Sequence, residues 1–527
     1  MEYMQYKVNS MGSAGFAVSE GYASMGERRL SLAQLWSRGA RLATALAERD
    51  VTTDSPVAIL MRNDLAFLEA MIACSILGAY AVPLNWHLSG DEVAYILNDS
   101  DAKVLLAHSD LYRRVEDRLS PIQALLVETP SEIRQAYALD SQVCALGAGD
   151  ASYDSIVHAC EERGLSGMPV SRGSIIYTSG TTGRPKGVRR ATLSDDKARA
   201  FRELSQRWFD LGPGIRSVMA GPAYHSAPNT YTRAVLHSGG SIALMPRFDA
   251  RALLSLIERD RVTHLHLVPT MFIRLLALPP DVRARYDLSS LKFVVHGAAP
   301  CPHEVKRAMI DWWGPIIHEY YAATETGMVS RSSSEEWLVR PGTLGKAWPG
   351  REIRIYDDNG ARCGPGEVGE VYVSLHGVPD FSYLHAADRR REIERDGLVS
   401  NGDVGYLDED GYLFLVDRKK DMVISGGVNL YPAEVECALA EHEKVLDCAV
   451  IGVPDPEFGE KLLAYVQVAH DHGLTADSLM IYLRTKLAGL KVPRAYKFVS
   501  ELPRDDSGKL MKRKLRDPYW SDMGRTI

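Results

Sequence analysis

The chain has 527 residues, 46% hydrophobic and 24% charged, the proportions of a globular protein with more than one core. Its net charge of −7 excludes polyanion binding by bulk electrostatics, so no nucleic-acid partner is expected. Seven scattered cysteines with no C-x-x-C pair argue against a disulfide framework or a zinc site and fit a reducing, cytoplasmic setting.

Residues 1–15 lack a basic stretch followed by an apolar core, so no signal peptide is expected. Residues 30–48 carry apolar positions at helical spacing. Residues 57–60 read as a strand, 66–77 as a helix, and 81–84 and 104–107 as further strands. The uncharged run between Glu69 and Asp91 contains Gly78, Pro83, Asn85 and His87. It suits a buried helix leading into a strand better than a membrane span, so no integral membrane association is expected. Beyond residue 200, strand-like runs at 217–220, 241–245, 264–268 and 293–296 enclose helical segments such as 251–261. Strands alternating with helices predict parallel α/β layers. From Gly342 to Leu415 short alternating runs are broken by Gly and Pro, which predicts a β-rich subdomain. The five charges Asp417-Arg418-Lys419-Lys420-Asp421 suit a solvated joint. After them, helical stretches at 433–441 and 476–487 and strands at 448–452 and 462–468 suffice for a small α+β domain.

The densest chemistry lies in Tyr177-Thr178-Ser179-Gly180-Thr181-Thr182-Gly183-Arg184-Pro185-Lys186-Gly187, which follows the apolar pair Ile175-Ile176. Backbone N–H groups, hydroxyls and an ammonium in one tight loop can surround a polyphosphate. The loop fails the Walker A pattern, with Pro185 before the lysine and Gly187 after it. Tyr321-Ala322-Ala323-Thr324-Glu325 offers an aromatic face, a hydroxyl and a carboxylate; the pair Thr324 and Glu325 can serve a phosphate-bound Mg²⁺, while a strand end with a helix-capping Thr is the commoner meaning of such a segment alone. Asn401-Gly402-Asp403 can present a carboxylate to ribose hydroxyls, though a bare turn is the commoner meaning of Gly-Asp. Ser425-Gly426-Gly427 is a second glycine-rich turn, with a helix entrance at Pro432. Lys509 follows a flexible turn, and the basic run Lys512-Arg513-Lys514-Leu515-Arg516 behind it reads as a solvated tail.

Taken in order, the motifs at 177–187, 321–325, 402–403, 417–418 with 425–427, and 508–509 resemble those of the AMP-forming acyl-adenylate superfamily. That superfamily includes acyl-CoA synthetases, luciferases and adenylation domains, and the resemblance spans nearly the whole chain. It implies an α/β fold with a large N-terminal domain of layered α/β subdomains, residues 1–417, including the β-rich part at about 342–416. A small mobile α+β C-terminal domain, 418–527, would turn on a hinge near Lys420. It also implies ATP, Mg²⁺ and coenzyme A, with a small-molecule carboxylic acid as the remaining partner; a homodimer is a further expectation.

By that resemblance Thr178, Ser179, Gly180, Thr181, Thr182 and Lys186 hold the β- and γ-phosphates. Tyr321 stacks on adenine, with Gly297, Ala298, Ala299 and Pro300 as the opposite wall. Thr324 contacts the α-phosphate and Glu325 holds Mg²⁺. Asp403 and Arg418 bind ribose, Lys509 bridges the carboxylate and the α-phosphate, and Ser425, Gly426 and Gly427 approach the thiol arm. His225, in Pro222-Ala223-Tyr224-His225-Ser226-Ala227-Pro228, lines the acyl carboxylate; a buried histidine bonded to backbone is the plainer alternative. Two departures stand out: Ala322 and Pro228 occupy positions where the family usually has Gly. Tyr224, His225, Asn229, Thr230, Ala298, Met328 and Trp348 are candidates for the acyl pocket. Their small neighbours Ala227, Ala299, Ala322 and Ala323 predict a hydrophobic acid of medium or larger size, including ring-containing acids such as a sterol side-chain acid. An adenylating enzyme feeding a carrier protein, a luciferase-like member and an inactive binding module are the alternatives. Retention of Lys186, Glu325, Asp403, Arg418 and Lys509 speaks against the last.

Overall fold

A computed structural model describes residues 21–163, 172–178, 185–426, 428–468, 473–505 and 508–520. The chain divides into two compact units. One comprises Met1–His266, Pro280–Val294 and Gly377–Arg390; the other comprises Leu267–Pro279, Val295–His376 and Arg391–Ile527.

In the first unit, Tyr80–Pro83, Pro56–Leu60, Val104–His108 and Gln123–Val127 form a parallel sheet in that order. Continuous apolar strands of this kind are buried on both faces, and all five residues of Val104–His108 are buried. The helix Leu65–Leu77 is apolar nearly all round and buried accordingly. Asp64 caps its start and Gly78, at φ 64°, ends it. The helix Leu32–Ala47 begins with a capping box between Ser31 and Gln34. Its Gly39 lies against Ile72, where an added Cβ would come within 2.5 Å of a methyl carbon. A second sheet pairs Tyr22–Met25, Ser241–Leu244 and Arg216–Met219 in parallel, with Arg28–Ser31 antiparallel at its edge. A third is antiparallel: Phe381–Tyr383, Lys186–Arg190 and Ile175–Thr178.

The second unit is rich in antiparallel strands. Ile317–Ala323 pairs with Gly327–Ser332, which pairs with Lys346–Ala347. Ile353–Tyr356, Gly369–Val373, Leu398–Leu407, Glu394–Arg395 and Leu413–Arg418 form an antiparallel sheet. Towards the C-terminus, Val428–Leu430, Val423–Ser425, Gly459–Val468, Val445–Asp455 and Ala495–Val499 make another sheet, with the last strand parallel. Strand alternation splits its side chains between two cores. Cys448, Val450, Leu462, Ala464 and Val466 join Val435, Leu439, Leu479 and Leu483 of the helices Pro432–Ala440 and Ala476–Arg484. Ala449, Ile451, Val453, Leu463 and Tyr465 face the other way, with Leu515 and Tyr519.

Leu515 and Tyr519 belong to a helix, Lys512–Trp520, so the basic run is not a solvated tail. Lys512 pairs with Glu436 at 2.8 Å, Arg516 approaches Asp421 at 3.6 Å, and the buried Trp520 donates to the Gly452 carbonyl at 3.2 Å. The charged joint is likewise more than a solvated spacer. Asp417 accepts the N–H of Ala433 at 2.8 Å, and Lys419 pairs with Glu370 at 2.8 Å. Among the described residues no helix is long and apolar enough to cross a membrane.

Candidate active site

In the first unit the strands Ile175–Thr178 and Lys186–Arg190, on either side of the glycine-rich segment, pair antiparallel. Thr178 lies directly across from Lys186, and Tyr177 from Gly187. Ser179, Gly180, Thr181 and Thr182 lie outside the described residues. The Tyr177 hydroxyl donates to Asp99 at 2.7 Å, which fixes the strand Ile175–Thr178. Burial, then the Asp99 carboxylate, pushes that phenol far above its ordinary range. Gly187 packs closely: a Cβ there would lie 2.8 Å from Leu384 and 3.0 Å from the Tyr177 ring. The Lys186 ammonium stands 5.9 Å from the centre of the Tyr383 ring.

His225 is the N-cap of the helix Ser226–His237, and its ring lies 4.5 Å from that of Tyr224. Two buried asparagines hold the segment before it. Asn63 donates to the carbonyls of Gly221 and Met245 at 3.0 and 2.9 Å, and accepts the Ala223 N–H at 2.8 Å. Asn229 donates to the Ala223 carbonyl at 3.0 Å. The Ala223 residue is therefore gripped at both its backbone polar groups. Asn229, expected among the acyl-pocket residues, is buried with its amide committed to this clamp. Sequence reasoning missed Asn63 altogether. Its one local signal is a polar residue between the apolar strand Pro56–Leu60 and a helix cap. Tyr224 is buried and Thr230 half-buried.

The second unit assembles a denser cluster. Tyr321 donates its hydroxyl to Asp403 at 2.5 Å, and the Arg418 guanidinium stands 3.3 Å from the other oxygen of that carboxylate. Asn401 donates both to the Tyr321 hydroxyl at 3.2 Å and to the Thr326 hydroxyl at 3.0 Å. A buried arginine that sequence reasoning did not single out, Arg351, donates to the Thr326 carbonyl at 3.0 Å. Thr324 and Glu325 thus sit in a turn whose C-terminal neighbour is held twice. Gly297 abuts Tyr320, where a Cβ would meet the ring at 2.8 Å and the carbonyl oxygen at 2.9 Å. Ala298 follows at φ 71°, exposed, with Ala299 half-buried. Met328 is buried, and the Arg331 guanidinium lies 4.7 Å over the half-buried Trp348 ring.

Lys509 joins the same cluster. Burial, then the charges of Arg418 and Lys420, hold its ammonium down at about 8, against the opposing pull of Asp505 and Glu325. Gly508 before it has φ 80°, and a Cβ there would fall 2.1 Å from the Thr270 hydroxyl. Glu325 is a single half-buried carboxylate, and no group of three or more His, Cys, Asp or Glu suited to a metal occurs among the described residues. One carboxylate, with substrate phosphates and water completing the shell, is how Mg²⁺ is ordinarily bound, so the donor set fits it. The second glycine turn is partly visible: Gly426 has φ 57° and donates to the Phe458 carbonyl at 2.9 Å. Gly427 lies outside the described residues.

An aromatic ring, a carboxylate–arginine pair, a turn bearing Thr and Glu, and a half-buried lysine with a lowered pKa thus stand together in the second unit. The AMP-binding enzyme family model matches residues 15–379, and that of the AMP-binding enzyme C-terminal domain matches residues 434–509. The chain belongs to the AMP-binding enzyme family; it is an AMP-forming acid–thiol ligase using ATP, Mg²⁺ and coenzyme A. It is 35% identical to a feruloyl-CoA synthase of Amycolatopsis sp., over 93% of this chain and 94% of that one. It is 30% identical to a fatty acid–[acyl-carrier-protein] ligase of Streptomyces coeruleorubidus, over 95% and 93%. The o-succinylbenzoate CoA synthetase of Bacillus subtilis, solved with its acyl-adenylate, superposes with a TM-score of 0.79 at 27% identity, covering 98% of both chains. The same synthetase has been solved with ATP and magnesium ion.

Proposed function

We propose that this enzyme converts a bulky, hydrophobic, ring-containing carboxylic acid to its coenzyme A thioester, with the residue roles below. In the first half-reaction a carboxylate oxygen attacks the α-phosphorus of ATP, the bond to the β-phosphate oxygen breaks, and pyrophosphate leaves. In the second, the thiol sulfur attacks the acyl carbon, the bond to AMP breaks, and the thiol proton passes to solvent.

A carboxylate is a weak nucleophile approaching an anionic phosphorus, so positioning and charge neutralisation must carry the first half. Lys509 supplies a compact positive charge between the carboxylate and the α-phosphate. Thr178, Ser179, Thr181, Thr182 and Lys186 hold the leaving pyrophosphate. Tyr321 stacks on adenine against Gly297, Ala298 and Ala299, while Asp403 and Arg418 bind ribose. Thr324 contacts the α-phosphate and Glu325 holds Mg²⁺, which neutralises phosphate charge when bound. His225 lines the acyl carboxylate. In the second half residues 418–527 turn about Lys420, so that Lys509 leaves and Ser425-Gly426-Gly427 takes its place.

The observation that carries this reading is the cluster of Tyr321, Asp403, Arg418, Glu325 and Lys509. For the acyl group, support comes from the small residues Ala227, Ala299, Ala322 and Ala323, and from two relatives named for ring-containing acids. Free cysteines among the described residues, and the need for ATP and coenzyme A, support a cytoplasmic setting; a homodimer belongs to the same reading and is tested by sedimentation.

The test is AMP release with ATP, free coenzyme A and a panel of acids from acetate through long-chain to aromatic and steroidal ones. Fastest turnover is expected on a ring-containing acid; fastest turnover on acetate refutes the acyl assignment. The carrier-protein ligase among the relatives favours a second reading, in which the acceptor is a carrier-bound thiol. AMP formed only when a carrier protein is added would establish it.

A further inference from the structure

The loop that bears Lys509 is tied to the C-terminal sheet by one arginine. Arg504 forks onto Asp447 of the strand Val445–Asp455, its Nε and Nη2 meeting the two carboxylate oxygens at 2.7 Å each. Its remaining nitrogen, Nη1, donates to the Gly508 carbonyl at 2.7 Å. One planar group thus bridges a strand and the residue directly before the lysine. Asp447 is itself placed, since it accepts the N–H of Cys448 at 2.8 Å.

The loop closes on itself around this tie. Lys509 donates its N–H to the Asp505 carboxylate at 2.9 Å, and its carbonyl accepts the Asp505 N–H at 3.0 Å. The neck is a bridge between Arg504 and Leu510, backed by the Met511 N–H on the Pro503 carbonyl at 2.8 Å. The Thr270 hydroxyl leaves no room for even a methyl group at Gly508. Such bracing has a physical reason: the ammonium lies near two other cations, Arg418 and Lys420, which repel it. An unbraced loop would relieve that repulsion by moving away.

We propose that Arg504, held by Asp447, is a positioning residue for the Lys509 ammonium and serves adenylation alone. The inference rests on the role of Lys509 proposed above. Arg504 and Asp447 touch no reacting atom; they act through the Gly508 peptide. Arginine is required because only a planar fork spans the carboxylate and the carbonyl at once, whereas a lysine must choose one.

The experiment measures both half-reactions separately in the full-length enzyme: pyrophosphate release in a single turnover, and thioester formation from supplied acyl-adenylate and coenzyme A. Arg504→Lys and Asp447→Asn are each expected to slow adenylation on the order of 100-fold, the cost of misplacing a catalytic group by about 1 Å. Thioester formation from the supplied adenylate should stay near the parental rate. Equal loss in both halves, or no loss in adenylation, overturns the proposal, since a merely structural brace would damage both. Lys509→Ala is run in parallel. Should that variant adenylate normally, the reading of Lys509 fails; should it lose adenylation while Arg504→Lys keeps it, the brace alone fails.

Discussion

Lys509 is placed so that its charge state, and hence adenylation, should titrate near neutrality. Burial, Arg418 and Lys420 each favour the neutral amine, while Asp505 and Glu325 oppose them, and the outcome is a pKa of about 8. A group with that pKa is about nine-tenths protonated at pH 7 and about one-tenth at pH 9, whereas an ordinary lysine stays charged through that range. The kcat/KM for ATP in adenylation reports the free enzyme, before phosphate charge reaches the site. It should therefore fall about tenfold between pH 7 and pH 9. Replacing Lys420 with Gln removes one of the repelling charges and should move the falling limb to higher pH; added salt should shift it the same way, because Lys420 is exposed. Stability carries the opposite sign. Lys509 titrates lower in the folded protein than in the unfolded chain, so the unfolded state binds more protons between pH about 8 and the ordinary lysine range. Over that window this residue's contribution to stability rises with pH, and Lys509→Gln should abolish the rise in thermal melts. Initial rates of pyrophosphate release from pH 6 to 10 test the argument. A plateau that extends past pH 9.5, or a limb unmoved by Lys420→Gln, would refute it.

Gly508→Ala meets two obstacles, a left-handed backbone at φ 80° and the Thr270 hydroxyl 2.1 Å from the new methyl. Adenylation should drop on the order of 100-fold. Adding Thr270→Ala should recover part of it, leaving the backbone strain of about 1–2 kcal/mol; full recovery would show that strain plays no part. Lys306 and Glu319 form a buried ion pair at 2.6 Å, with the lysine also 4.9 Å from the Trp337 ring. Lys306→Met takes the hydrogen-bonded cation from a buried carboxylate and should cost about 3–5 kcal/mol in chemical denaturation. The double variant with Glu319→Leu should regain much of this, and a double variant as unstable as the single would contradict the account.

How far the sequence could be read depended on how local each signal was. The helix at 65–77 and the strand at 104–108 announce themselves through apolar runs of the right length, because burial on all sides demands such runs. The stretches 177–187 and 321–325 stand out in the sequence because their residue types are packed into a few positions. The basic run at 512–516 misled for the converse reason. Its charges are matched by Glu436 and Asp421, which lie far back in the chain, and its helix is anchored by Trp520 on Gly452. The asparagine clamp was equally invisible. Asn63 reaches Ala223 across 160 residues of sequence, and no local pattern marks an amide whose partners are backbone groups brought by tertiary folding. Arg351 and Arg504 share that property, since each earns its place by bonding a backbone carbonyl.

Both departures from the family pattern become intelligible once the backbone is considered. Ala322 lies in the strand Ile317–Ala323, where the pairing register shifts between Tyr321 and Ala322. Such an irregularity often recruits glycine, but Ala322 is not among the residues with positive φ, so an alanine fits without strain. Pro228 is the third residue of the helix that His225 caps. There its missing N–H removes one of the four donors that have no partner within the helix, so the substitution forfeits no helical hydrogen bond. Its ring also fills the space beside Gly221, where a Cβ would stand 2.9 Å from the Pro228 Cγ. Gly221 and Pro228 are therefore a matched pair. Pro228→Gly should open a gap beside the Asn63 clamp rather than restore a lost helical bond, and Gly221→Ala should be tolerated only in a chain that also carries Pro228→Gly. Thermal melts of the two single variants and the double decide this: a Gly221→Ala variant as stable as the parent would show that the two positions are independent.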